Sequence, residues 1–352
     1  MKKLIPNLQN KKNYVTHYLN LQFYVKHGLK VTKIHRIISF SQSRWLKGWI
    51  DVCTKQRQDA KSDFETDLAK REANATFGKT VEQVRNRQNI RLIVDETKLR
   101  KAVSKPSYRM SQIINPDLVM VRGQRQKVIL NKPIAVGFCI LELSKLVIYR
   151  FYYDYMKPRY GKKCKLLFTD TNSLCLEIET PDLFHNMGEA MDLYDTSNFE
   201  TDHPLYSTRN HRVLGKMKSE KGSVPPLEFV GLRAKMYGLS CGKKSQRKVK
   251  GIKKNYIKKH IRHESFLEII RNPELTTDAT FRLFQSRNHE VRTVEINKLC
   301  LSTFDDKRYI LDDEVSTLAY GHQGIQKKVS SLSRRCGVVA CVVNNPVFAK
   351  LG

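Results

Sequence analysis

The stretch KLLFTDTNSLCLEIET, residues 165–180, sets two apolar runs on either side of a short polar turn. In the second run Leu174, Leu176 and Ile178 point one way, and Cys175, Glu177 and Glu179 point the other. That period of two is what a strand requires. The turn places Asp170 and Asn172 at i and i+2, on the same side of a hairpin tip. Two carboxylates there would hold a hard, oxygen-seeking ion and leave positions open for substrate phosphates. Asp and Asn are also favoured turn residues, so the pair suits an ordinary hairpin as well. An EF-hand loop is excluded, because its glycine and terminal glutamate are missing.

Working outward, residues 138–161 (FCILELSKLVIYRFYYDYMKPRYG) read as a helix with Ile140, Leu143, Val147 and Phe151 on one face. Pro158 to Gly161 close it. Helix, strand, tight turn and strand give an α+β layer. Residues 61–92 carry strong helix formers, with Gly78 as one interior break and Ser62 or Asp63 as the cap. Residues 1–60 read as loops and short helices, and 96–130 as a small β-rich insertion. The tail, 323–352, ends in a small-apolar run without clear periodicity and reads as an appendage.

Across 352 residues, 64 Lys+Arg face 34 Asp+Glu, a formal charge of +30. A chain with that excess repels itself unless a polyanion binds it, and the excess runs through most of the sequence. Nucleic acid is therefore the expected partner. Eight cysteines form no CxxC pair, so neither a zinc ribbon nor a disulfide framework is indicated. His260 and His263, with no partnering cysteine pair, read as part of a basic helix rather than as zinc ligands. Apolar runs such as AVGFCILEL are too short to span a bilayer, and the start lacks a signal-peptide core. A soluble, intracellular protein with no membrane partner is expected, and the basic clusters are compatible with the nucleus.

Three further constellations could carry chemistry. Lys70, Asn74 and Phe77 fall at i, i+4 and i+7 on one helix face with Gly78 beside them. A cation, an amide and a flat ring could grip a nucleoside triphosphate, although an amphipathic helix with a snorkelling lysine reads the same way. In RAKMYG, Lys235 and Tyr237 share a face if extended, as in a groove that tracks a nucleic-acid backbone or in a half-exposed strand. The stretch GKKSQRKVKGIKKNYIKKHIRH, with Lys248, Lys250, Lys253 and Lys254, suits phosphate contacts or a nuclear-localisation patch.

In combination and order, TDTNSL, FGKTVEQVRNRQNIRLI, KPIAVGFCILELSK, FVGLRAKMYG and DDKRYILDD resemble the polymerase region of family B DNA polymerases. The likeness is to the protein-primed branch of bacteriophages, linear plasmids, adenoviruses and Maverick/Polinton transposable elements. It covers nearly everything except the tail. The resemblance implies a partial right-hand polymerase fold. Its parts would be a terminal-protein-region-like connecting segment (1–60), helical fingers (61–95) and the insertion (96–130). An antiparallel palm sheet with packed helices (131–245) and a basic thumb (246–322) would follow, with 323–352 unassigned.

Residue by residue, Lys70, Asn74, Phe77 and Gly78 match the fingers motif, with Ala75 where a serine is usual, and would bind the incoming nucleotide. Asp170, Thr171 and Ser173 match the palm's D-T-D-S, with Asn172 departing at a catalytic, metal-ligand position. Asp170 would be the metal ligand. Lys235, Met236 and Tyr237 match K-x-Y, which holds primer and template, and Lys248, Lys250, Lys253 and Lys254 would continue that contact. The family's D-x-x-S-L-Y-P strand and exonuclease are not found upstream of Lys70, so the chain reads as a C-terminal part. The implied activity is that of a DNA-directed DNA polymerase, a nucleotidyltransferase of DNA replication. It would use Mg²⁺ or Mn²⁺, dNTPs, DNA primer–template and a terminal-protein primer, and be weak or inactive in this chain alone. The alternative is a non-catalytic DNA-binding remnant.

Overall fold

The first part of the chain is helical, and its strongest cap signal lies at the third helix. In the computed structural model, which describes residues 10–242, 244–287, 290–304, 309–311, 317–318, 341–344 and 346–351, it consists of three helices. These are α1 (Tyr18–Lys26), α2 (Lys47–Asp59) and α3 (Asp63–Thr80). Ser62, rather than Asp63, caps α3. Its Oγ accepts from the Glu65 N–H at 3.2 Å, while Glu65 Oε2 accepts from the Ser62 N–H at 3.3 Å. That reciprocal box satisfies two N–H groups a helix start leaves unpaired. α3 runs through Gly78 without the expected break. There follow β1 (Asn89–Ile93), α4 (Glu96–Val103), β2 (Tyr108–Asn115) and β3 (Leu118–Gly123), forming a three-stranded antiparallel sheet in the order β1-β3-β2.

α5 (Ile134–Arg150) continues through a π-helical turn, Phe151–Met156, into α6 (Lys157–Tyr160). Its buried face differs from the expected one. Leu146, Ile148, Phe151, Tyr152 and Met156 are buried, whereas Ile140, Leu143 and Val147 remain 37–39% exposed. The reason is polar: Glu142 is turned inward and takes hydrogen bonds from Asn20 (3.0 Å), Thr16 (3.1 Å) and Lys145 (2.7 Å), which docks α1 on this helix. Gly137 is buried against the end of α3, where a Cβ would collide with Thr80 and Val81.

The remainder is mostly β. It comprises β4 (Cys164–Thr169), β5 (Ser173–Ile178), α7 (Leu183–Gly188), β6 (Tyr194–Asp195) and β7 (Met217–Ser219). Next come β8 (Glu228–Arg233), β9 (Met236–Cys241), β10 (Lys244–Val249), α8 (Lys254–His260) and α9 (His263–Arg271). Then follow a long hairpin, β11 (Thr277–Arg287) and β12 (Glu290–Leu301), and the short pair β13 (Tyr309–Ile310) and β14 (Thr317–Leu318). The last strands are β15 (Cys341–Asn344) and β16 (Pro346–Leu351). The architecture is α+β, as expected.

The described part of the tail, 341–344 and 346–351, is not an appendage, and the rest of 323–352 lies outside the described residues. β16 lies inside a five-stranded sheet, β4-β5-β16-β7-β6, antiparallel to both β5 and β7, and β15 pairs with β8 in a four-stranded sheet, β10-β9-β8-β15. The end of the chain thus joins both sheets. It also covers an edge of β5, an arrangement that removes a template for aggregation.

β5 is buried on both faces rather than one. Leu174, Leu176 and Ile178 pack with Ile148, Phe151, Tyr152 and Met156, while Cys175 packs on the other side with Phe229 and Leu239 of the second sheet. α8 and α9 cover the far face of that sheet, where Ile257, Phe266 and Ile269 meet Val230, Leu232 and Met236. Burying a side chain such as Phe266 contributes roughly 1.5–3 kcal/mol.

One buried charge ties these layers to the helices. Asp195 in β6 is 1% exposed and accepts from the Ser197 N–H (3.0 Å), the Arg212 N–H (3.0 Å) and Lys218 Nζ (3.2 Å). Burial opposes its ionisation, but the Ser197 hydroxyl, these N–H groups and Lys218 outweigh it and hold its carboxyl below the usual range. The Arg212 guanidinium reaches on to the Arg57 carbonyl near the end of α2 and to Thr66 of α3.

Candidate nucleic-acid interface

Two hairpin tips meet at the site. In the first, Asp170 N–H donates to the Ser173 carbonyl (3.1 Å), and Asn172 N–H donates to the Asp170 carbonyl (2.7 Å), closing a tight turn about Thr171. Thr171 has φ +62°, an uncommon conformation for a β-branched residue. In the second tip, Arg233 pairs with Met236 across the turn, and Lys235 also sits at φ +62°. Each tip thus carries one strained residue where the two face each other.

The contact between them is ionic. Lys235 Nζ donates to both carboxylate oxygens of Asp170, at 2.9 and 3.0 Å, across 65 residues of sequence. Both side chains are about half exposed, 55% and 43%, so the pair contributes about 0–1 kcal/mol and can exchange for another partner. Below it the Tyr237 ring lies 4.6 Å from Phe168 and 6.0 Å from Phe229, centroid to centroid. Its hydroxyl pKa is pushed up to about 12, first by burial, then by the Cys175 thiol and the carboxylates of Glu220 and Asp170. Tyr237 therefore keeps its proton at neutral pH and can donate a hydrogen bond.

The basic stretch extends from this point. Lys248 of β10 lies directly across the strand pair from Tyr237, and the Lys250 N–H donates to the Lys235 carbonyl at 3.2 Å. Lys253 Nζ is held by the Arg282 carbonyl of β11, and Lys254 is exposed on α8. Asp170, Asn172, Lys235, Tyr237, Lys248 and Lys250 are thereby brought together. Lys70 and Asn74 are exposed on one face of α3, with Phe77 half-buried and Gly78 exposed next to it. Among the described residues no hydrogen bond, ion pair or ring contact joins that stripe to Asp170 or Lys235. Glu220, just beyond β7, was missed in the sequence, where MKSEKG carries no motif that would mark it.

The donor set among the described residues does not fit a two-metal clamp. Such a clamp needs several hard anionic ligands around open coordination positions. Among the described residues no three His, Cys, Asp or Glu side chains gather to hold a metal, and both Asp170 oxygens accept from Lys235. Asn172 contributes an amide where a carboxylate would be needed.

Compared with known proteins, the chain matches no family model, no curated protein and no solved structure. Among the described residues no helix is long and apolar enough to cross a membrane.

Proposed function

We propose that this chain is a polymerase-type DNA-binding module of the family B, protein-primed kind, which holds a primer–template junction at the two hairpin tips. The observation that carries the reading is the meeting of T-D-T-N with K-x-Y at the Asp170–Lys235 contact. Lys235, Lys248 and Lys250 would take backbone phosphates, and Tyr237 would donate its hydroxyl to the strand end. Lys70, Asn74, Phe77 and Gly78 would meet the incoming nucleotide. Weak or absent nucleotidyl transfer by the chain itself goes with this reading, because Asn172 stands at a metal-ligand position and, among the described residues, no metal clamp assembles.

A second reading, DNA binding with no polymerase role, is favoured by the Lys235 ammonium on Asp170. Affinity for a primer–template junction against a blunt duplex of equal length separates the two. The polymerase-type reading expects about tenfold preference for the junction, lost in Lys235→Met and Tyr237→Phe, with steep salt dependence. Equal affinity for junction and blunt duplex would leave only the second reading.

A further inference from the structure

Away from the hairpin tips, β10 and α8 flank an open cavity of ≈ 200 Å³ lined by Ser245, Arg247, Lys254, Ile257 and Lys258. Ser245 and Arg247 are i and i+2 on one strand face, and Lys254 and Lys258 are i and i+4 on one helix face. Four polar side chains thus converge from two walls. Ile257 belongs to the buried core beneath and anchors the helix that carries both lysines. Arg247 is fixed in place: its Nη1 donates to the Ile261 carbonyl at 2.6 Å, which leaves further guanidinium N–H groups for a ligand.

Nothing lining the cavity neutralises these cations. No carboxylate is among the lining residues, and residues 242–263 contain neither Asp nor Glu. Among the described residues no ion pair engages Lys254 or Lys258. Three like charges on facing walls repel one another until an anion enters.

The charge count selects the anion. A backbone phosphodiester brings one negative charge, whereas a terminal phosphomonoester carries about 1.5–2 at neutral pH and three strong acceptor oxygens. A guanidinium fork, two ammonium groups and a hydroxyl match those oxygens better than the two free oxygens of a diester.

We infer that the β10–α8 cavity binds the terminal phosphate of a DNA strand. The inference rests on the reading of the chain as DNA-binding and adds a preference for strand ends that the hairpin tips do not supply.

The test measures binding of the full chain to duplexes of one sequence with 5′-phosphate, 3′-phosphate or hydroxyl ends, by fluorescence anisotropy. One of the phosphorylated duplexes should bind about tenfold tighter than the hydroxyl-ended one. Lys258→Ala and, from the other wall, Ser245→Ala should each reduce that ratio. Affinity for the hydroxyl-ended duplex should stay within about threefold. Equal affinity for all three duplexes overturns the inference while leaving DNA binding intact. If no duplex binds, the DNA-binding reading falls and the inference falls with it. Inorganic phosphate that stabilises the chain through Lys258, with no gain from phosphorylated ends, would assign the cavity to the free ion and also overturn it.

Discussion

Two Asp–Lys pairs lie on opposite flanks of the same five-stranded sheet, and burial separates their roles. Asp195, on edge strand β6, is 1% exposed and surrounded by donors from Ser197, Arg212 and Lys218. Asp170, where edge strand β4 turns into β5, is 43% exposed and held by one half-exposed ammonium, that of Lys235. A carboxylate removed from water must be fully satisfied, and once satisfied it becomes part of the scaffold. A carboxylate left half in water can give up its partner at little cost. The difference makes Asp195 part of the scaffold and leaves the Asp170–Lys235 pair exchangeable, as the proposed binding at the tips requires.

The comparison can be broken most forcefully at Asp195. Asp195→Ala should cost about 3–5 kcal/mol, since it strands the Lys218 charge and the Arg212 N–H. Chemical denaturation measures this, and a loss under about 1 kcal/mol would erase the contrast. The same carboxyl gives a pH signature. Its folded pKa is depressed, so its contribution is fully present above the unfolded value of about 3.9 and is lost as pH falls through the folded value. Acid unfolding of the Asp195→Asn chain should therefore show a shallower dependence on pH below about 4.

At the tips the effects should appear in binding. Lys235→Met should weaken primer–template affinity about tenfold while moving stability by no more than about 1 kcal/mol. Asp170→Asn releases Lys235 and removes a negative charge, so affinity should rise about fivefold; anisotropy titrations at fixed salt show the sign. Weaker binding by Asp170→Asn would mean that the carboxylate serves a bound cation instead. The smallest effect is expected from Thr171→Gly, which relieves the φ +62° strain and should stabilise the chain by up to about 1 kcal/mol.

Much of this contrast could be read from the sequence, but not its partners. The 165–180 hairpin follows from alternation, and the α3 start from Ser62 and Glu65, because both signals are local. The buried face of α5 did not follow, since a distant Asn20 and Thr16 turn Glu142 inward and a π turn shifts the phase beyond Arg150. The tail strands were missed for a related reason. GVVACVV carries no period of two, and β15 and β16 pair with strands far away in sequence, which no local pattern encodes. The Lys235–Asp170 contact depends on two sheets packing through Cys175, Phe229 and Leu239, which no local pattern encodes.

The central claim is that the tips hold primer–template DNA without assembling a metal clamp. Primer extension by the unmodified chain, with dNTPs and either Mg²⁺ or Mn²⁺, tests it most directly when binding of the same DNA is followed in parallel. We expect salt-sensitive binding and little or no extension. Robust, metal-dependent extension by the unmodified chain would contradict the account.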